Sequence, residues 1–300
     1  MASRPSLPCV STWRRVSTVG LSGAGRVTSP VTTSNEDPAE GLDRTTPHSA
    51  RIWNYWLGGK DNFEADRKAG DEYAAVYPQI ITIAREARAF LGRVVTYLAG
   101  EAGIRQFLDV GTGLPIADNT HEVAQRVAPG TRVVYVDNDP LVLAHARALL
   151  VPTGREAGTT RYVHEDMHNP EQLLEKASKV LDLTQPVAVM FMGSLGHVQT
   201  LEEARRVVRV LLDAVPPGSY LVAEDGTAAE SFQEAQDGYD ETGAVPYVLR
   251  TPDELQTLFD GLEWVPPGFT SLPLWRPIDS PDVPRIGAAA EPVDVYGGVA

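Results

Sequence analysis

The run QFLDVGTGLP, residues 106–115, breaks an apolar stretch with two glycines one residue apart. Glycine at a strand end lets the backbone approach a ligand closely, and open parallel sheets bind ligands at such ends. A dinucleotide fingerprint carries a third glycine beside a pyrophosphate. Here Leu114, Pro115 and Ile116 follow Gly111, Thr112 and Gly113, and Asp109 stands just before the turn. A carboxylate repels a pyrophosphate and attracts a cation. The next strand-like run ends in YVDND, which puts Asp137 where an acidic group hydrogen-bonds ribose hydroxyls. A third run ends in HEDM and offers Asp166 to an adenine amino group. Three carboxylates at successive strand ends suit a positively charged adenosine derivative. S-adenosylmethionine, with its sulfonium and ammonium groups, is the expected cofactor.

Other polar residues invite chemistry. His197 lies just after the fourth apolar strand and is the candidate general base for an acceptor that must lose a proton. The segment WNYWLGGKDNF reads as a lid over the cofactor mouth: Gly58 and Gly59 permit a tight turn, and Lys60, Asp61 and Asn62 offer polar contacts. Of its aromatics, Trp53, Tyr55 and Trp56 read as core in preference to a substrate cage, with Tyr55 kept as a lid candidate. His164, Glu165, Asp166 and His168 alternate faces on a strand and do not converge, so no metal site is expected.

The elements that must hold these residues alternate regularly from Arg105. RQFLDV, TRVVYVD, TTRYVHED, PVAVMFMG and GSYLVAEDG read as strands. Between them lie helical runs: NTHEVAQRVA with Asn119 and Glu122 as a capping box, DPLVLAHARALL capped by Asp139, PEQLLEKASKVL, and LEEARRVVRVLLDAV. TPDELQTLFDG, capped by Thr251, follows the fifth strand. LEWVPPGFTSLPLWRP and EPVDVYGGVA read as a final antiparallel pair. Upstream, QIITIAREARAFLGRVVTYLAGEAG places Ile80, Ile83, Ala84, Ala87, Leu91, Val94, Val95 and Leu98 on one helical stripe, with Arg85, Glu86, Arg88 and Arg93 off it. The fold class is therefore α/β: a doubly wound, mostly parallel sheet with an antiparallel last strand and N-terminal helices.

Residues 1–46, rich in Ser, Thr, Pro and Gly, read as a disordered extension; residues 47–103 read as a helical cap and 104–300 as the Rossmann-like core. The net charge of −14 argues against gripping a phosphate backbone, so no nucleic acid partner is expected. The single cysteine, Cys9, builds no disulfide framework, and no apolar stretch is long enough for a membrane span. A cytoplasmic setting and a small-molecule substrate are expected.

FLDVGTGLP, VVYVDNDPLVLAHARALL, ARIWNYWLGGKDNFEADR and the terminal YGGVA together resemble the actinobacterial S-adenosylmethionine-dependent methyltransferase family once described as a domain of unknown function. The resemblance spans residues 46–300. It implies a class I methyltransferase fold with seven strands, and it names no substrate. It further implies that Asp109, Gly111, Thr112 and Gly113 line the methionine part of the cofactor. Asp137 would hold the ribose, Asn138 would flank the adenine, and Asp166 and Met167 would read its edge. Gly193 and Ser194 would face the methyl group. Two readings from other classes stand beside it: a non-catalytic sensor of an adenosine ligand, and an NAD-dependent oxidoreductase, which the missing third glycine and Asp109 disfavour.

Overall fold

The computed structural model describes residues 43–142, 144, 158–277 and 290–300. Of the extension expected over 1–46, residues 1–42 lie outside this part, as does most of the helix expected over 139–150. The elements below belong to one unit, Asp37–Ala300.

Three helices come first: α1 (Ser49–Trp56), α2 (Glu64–Val76) and α3 (Ile80–Gly100). Then strands and helices alternate: β1 (Gln106–Val110), α4 (Thr120–Val127), β2 (Arg132–Asp137), β3 (Thr160–His164), α5 (Pro170–Ala177), β4 (Ala188–Met192), α6 (Leu201–Asp213) and β5 (Tyr220–Gly226). The chain closes with α7 (Glu230–Asp240), α8 (Pro252–Gln256), β6 (Thr270–Ser271) and β7 (Val295–Val299). The sheet order is β3-β2-β1-β4-β5-β7-β6. β3 through β5 pair in parallel, and β7 runs antiparallel to both β5 and β6.

Both faces of the central strands are covered, which is why they read as unbroken apolar runs. Phe107, Val133, Tyr135, Ala188, Met190 and Val222 pack toward α3 and the other cap helices. Leu108, Val134, Val136, Val189, Phe191 and Leu221 pack toward α5, α6 and α8. The expected caps form: the Asn119 backbone N–H donates to Glu122 Oε2 at 2.8 Å, and Thr251 and Glu254 form a capping box.

Two expectations need correction. The first of the late strand pair shrinks to Thr270–Ser271, because Pro266, Pro267 and Pro273 remove backbone donors around it. Arg93 is not on the free face of α3. It is buried, and its Nε and Nη2 donate to the carbonyls of Trp275 and Leu272 at 2.9 and 2.7 Å. The planar fork ties the helix to the short 3₁₀ turn that follows β6.

Candidate functional site

The first crossover returns on the α3 side of the sheet, and β4 lies on the opposite side of β1 from β2. Strand order thus reverses between β1 and β4, where doubly wound folds bind their ligands. A cavity of about 340 Å³ opens there.

The glycine turn forms its floor. Gly111 and Gly113 have φ of +73° and +66°, a conformation that costs any other L-residue about 1–2 kcal/mol. The Gly111 N–H donates to Val136 O at 2.8 Å, which pins the turn to the end of β2. Gly111 is crowded: a Cβ there would stand 2.4 Å from Ser194 Cβ. Gly113 is open, with Ala50 Cβ at 3.8 Å as the nearest atom to such a Cβ. Ser194 holds the β4 end against β1, its Oγ donating to Val110 O at 2.8 Å.

Asp137 joins the two strand ends. Its Oδ2 accepts the Gly113 N–H at 2.8 Å and its Oδ1 the Asp139 N–H at 2.9 Å. Burial raises its pKa, and these two bonds oppose the rise. Burial would also raise Asp166, but hydrogen bonds from His168 and from Asn138 outweigh it and hold that carboxyl below its usual range. Asn138 Nδ2 reaches Asp166 Oδ2 at 3.2 Å, so the two expected adenine-side residues are joined.

Of the residues singled out from sequence, Gly111, Thr112, Gly113, Asp137 and Asn138 line the cavity. Asp166, Met167, Gly193, Ser194 and His197 also line it. Asp109 does not. It lies beneath the turn on the α3 face, 2% exposed, with Thr120 Oγ1 donating to its Oδ2 at 2.7 Å. Burial pushes its pKa up to about 6, opposed by Thr120 and by the charge of Arg88.

Tyr55, Gly58, Gly59, Lys60 and Asn62 also stand away from the lining. The Tyr55 hydroxyl donates to Asp71 at 2.8 Å on the surface. The turn itself folds around Asn54, whose Oδ1 accepts the Asp61 N–H at 3.1 Å and Asn62 Nδ2 at 3.0 Å. Gly59 is required by this packing, since a Cβ would meet the Asn54 side chain at 2.4 Å. The cavity is covered instead by the preceding helix, through His48, Ala50, Trp53 and Trp56. An eight-residue helix presents one face inward, and the turn after it faces away.

Around His197 the chain is clamped. Arg250 donates to Leu195 O at 2.9 Å and to Val198 O, and the Tyr247 hydroxyl donates to Asp225. The His197 ring meets Tyr247 edge-on at 5.1 Å, and its Nδ1 lies 3.1 Å from Pro246 O. Burial lowers its pKa.

Sequence reasoning missed Arg88, Glu224, Tyr239 and Tyr247, which also line the cavity. Arg88 carried a signal, being an arginine off an otherwise apolar stripe. Glu224 stands at a strand end beside a second acid, and nothing local chooses between the two.

These groups fit S-adenosylmethionine. Two positive-φ glycines, Gly113 and Gly193, line the cavity, and a Cβ at either would clash with nothing and would take up cavity space. Carboxylates converge on the same cavity from β2 and β3 and suit a cationic adenosine ligand. Fold and site together define a class I methyltransferase. The chain belongs to the S-adenosyl methyltransferase family, whose model matches residues 35–300. It is an S-adenosylmethionine-dependent methyltransferase, and no finding supports the oxidoreductase or sensor reading better. A DUF574 family protein from Streptomyces avermitilis is similar at 41% identity and TM-score 0.79, over 86% of this chain and 98% of its own. A candidate methyltransferase from Thermobifida fusca is similar at 39% identity and TM-score 0.78, over 87% and 97%. No curated protein matches the chain.

Proposed function

We propose that the methyl acceptor is a small molecule, held in the cap-covered half of the cavity with the cofactor in the strand-end half. The observation that carries this is the division of one cavity: carboxylates and glycines on the strand ends, Trp53, Trp56, Tyr73 and Phe232 under the cap. A space of about 340 Å³ beneath helices suits a small molecule. The acidity of the chain supports the same reading, and its single cysteine supports a cytoplasmic setting.

Bound at the turn, the cofactor supplies a methyl group already activated by its sulfonium. The protein's work is alignment and exclusion of water. Asp137 holds the ribose: its bonds to Gly113 and Asp139 fix the carboxylate, and each oxygen keeps a second lone pair. Asn138, Asp166 and Met167 take the adenine, and Gly111, Thr112 and Gly113 take the methionine part. Asp109 acts from behind the turn, fixing α4 through Thr120. Gly193 and Ser194 border the methyl group. The Gly58–Asn62 turn acts indirectly, by bracing α1.

His197 is the proposed base. A carbonyl partner at Nδ1 requires that nitrogen to carry the hydrogen, which leaves Nε2 as an acceptor. Its lowered pKa keeps the ring neutral and ready for a proton. Incubation with methyl-tritiated S-adenosylmethionine and fractionated bacterial extract tests the acceptor class. Label is expected in the small-molecule fraction. Label confined to protein or nucleic acid would contradict the proposal.

A further inference from the structure

Beyond the glycine turn the cavity becomes apolar, and one acidic side chain is stranded in it. Glu224 is 4% exposed and lines the cavity. The pleat of β5 sets its direction, for Val222 and Gly226 share its face. Gly297 of β7 backs it so closely that a Cβ there would meet Glu224 Cβ at 2.5 Å. The carboxyl lies toward the turn after β4: a Cβ on Gly193 would stand 3.5 Å from Glu224 Oε1.

Among the described residues, neither carboxyl oxygen of Glu224 has a hydrogen-bond or ion-pair partner. The charge acting on it comes from Asp225, which is also acidic and already accepts the Tyr247 hydroxyl. Burial, reinforced by Asp225, holds the Glu224 carboxyl well above the usual range. A buried carboxyl with no partner is costly, and an apolar residue would fill the position at less expense. What satisfies it must come from outside the chain. The same cavity is lined by the rings of Trp53, Trp56, Tyr73, Phe232 and Tyr239, beside polar groups that include Arg88 and Gln236. Aromatic faces attract cations and pack apolar bodies.

We propose that Glu224 is the acceptor-binding carboxylate, and that the acceptor is a small amine, an ammonium group on an apolar or aromatic body. The inference rests on the cofactor placement proposed above, which puts Gly193 beside the methyl group. The ammonium pairs with Glu224 at that glycine, and the body lies against the rings. As the pair forms, any proton held on the carboxyl passes to solvent and the carboxylate meets the cation. A neutral alcohol brings no charge to pair with the carboxylate, and an acid brings no cation. Pairing orients the nitrogen; removing its proton before transfer is the step assigned to His197.

Calorimetric titration tests this with three matched probes: 2-phenylethylamine, 2-phenylethanol and phenylacetate. Each is titrated into wild type and Glu224→Gln, with and without S-adenosylhomocysteine. Wild type is expected to bind the amine at least about tenfold more tightly than either analogue. In Glu224→Gln the preference is expected to fall to within about twofold, with affinity for S-adenosylhomocysteine retained. The wild-type comparison needs no variant, so a folding defect cannot obscure it. Equal binding of alcohol or acid, no binding of the amine, or a preference that survives in Glu224→Gln would overturn the proposal. So would a loss of S-adenosylhomocysteine affinity in Glu224→Gln, because the carboxyl would then serve the cofactor. If wild type binds no S-adenosylhomocysteine, the cofactor placement fails, and the series without it still decides the role of Glu224.

Discussion

Gly111 and Gly113 share a backbone conformation but not a surrounding, and that difference separates stability from binding. Gly113→Ala adds a methyl group to open space at the cavity wall. It should cost about 1 kcal/mol from the left-handed backbone and weaken S-adenosylhomocysteine binding by about tenfold or more. Gly111→Ala forces Ser194 to move, so it should lose at least about 1 kcal/mol more. Urea midpoints and cofactor titration on both variants check the pair. These glycines were legible in the sequence because a positive φ leaves few other choices of residue. Glu224 was not. The run AED puts two acids side by side, and only the pleat of β5 against β7 decides which one faces the cavity. That choice depends on a strand about 70 residues away in the chain, which no local pattern encodes.

The cap helices are held by one buried carboxylate. Asp66 Oδ2 accepts Arg51 Nε at 2.8 Å and the Phe63 N–H at 2.7 Å, and its Oδ1 accepts the His48 N–H at 2.9 Å. The Arg51 and Asp66 side chains are 5% and 0% exposed. Removing one partner of such a pair costs about 3–5 kcal/mol. Asp66→Ala should therefore lower stability by about that amount and weaken cofactor binding, because His48 and Ala50 sit on the cavity. Lys60→Ala, at an exposed position of the turn, should stay within about 0.5 kcal/mol and leave cofactor affinity unchanged. Thermal melts and titration of both variants separate a bracing turn from a contacting lid. The sequence marked this segment as special, and its glycines do make a tight turn. Its purpose was hidden because Asn54, the residue the turn wraps, is specified by hydrogen bonds rather than by periodicity.

Across the whole molecule, buried acids set the response to pH. Asp109 and Asp225 are both pushed up to about 6, mainly by burial. The folded chain therefore holds protons that the unfolded chain releases near pH 4. Stability falls as pH rises from about 4 to about 6, by about 1.4 kcal/mol per pH unit for each group. Asp109→Asn removes one such group, so its stability should vary less steeply with pH across that window than that of wild type. Urea unfolding at a series of pH values reads this directly, and an unchanged slope would contradict it. At this scale most of the sheet was legible, because apolar runs alternating with capped helices admit few topologies. β6 was the exception: its prolines shorten it to two residues, and Arg93 anchors what remains.

Cofactor binding turns on one carboxylate at the end of β2, Asp137. Calorimetric titration of wild type and Asp137→Ala with S-adenosylmethionine, S-adenosylhomocysteine and NAD tests it most directly. Wild type is predicted to bind the first two and not NAD, and Asp137→Ala to weaken both by at least about tenfold, since it loses the proposed ribose contact together with the tie to Gly113. Undiminished binding in Asp137→Ala, or binding of NAD in place of the other two, would contradict it.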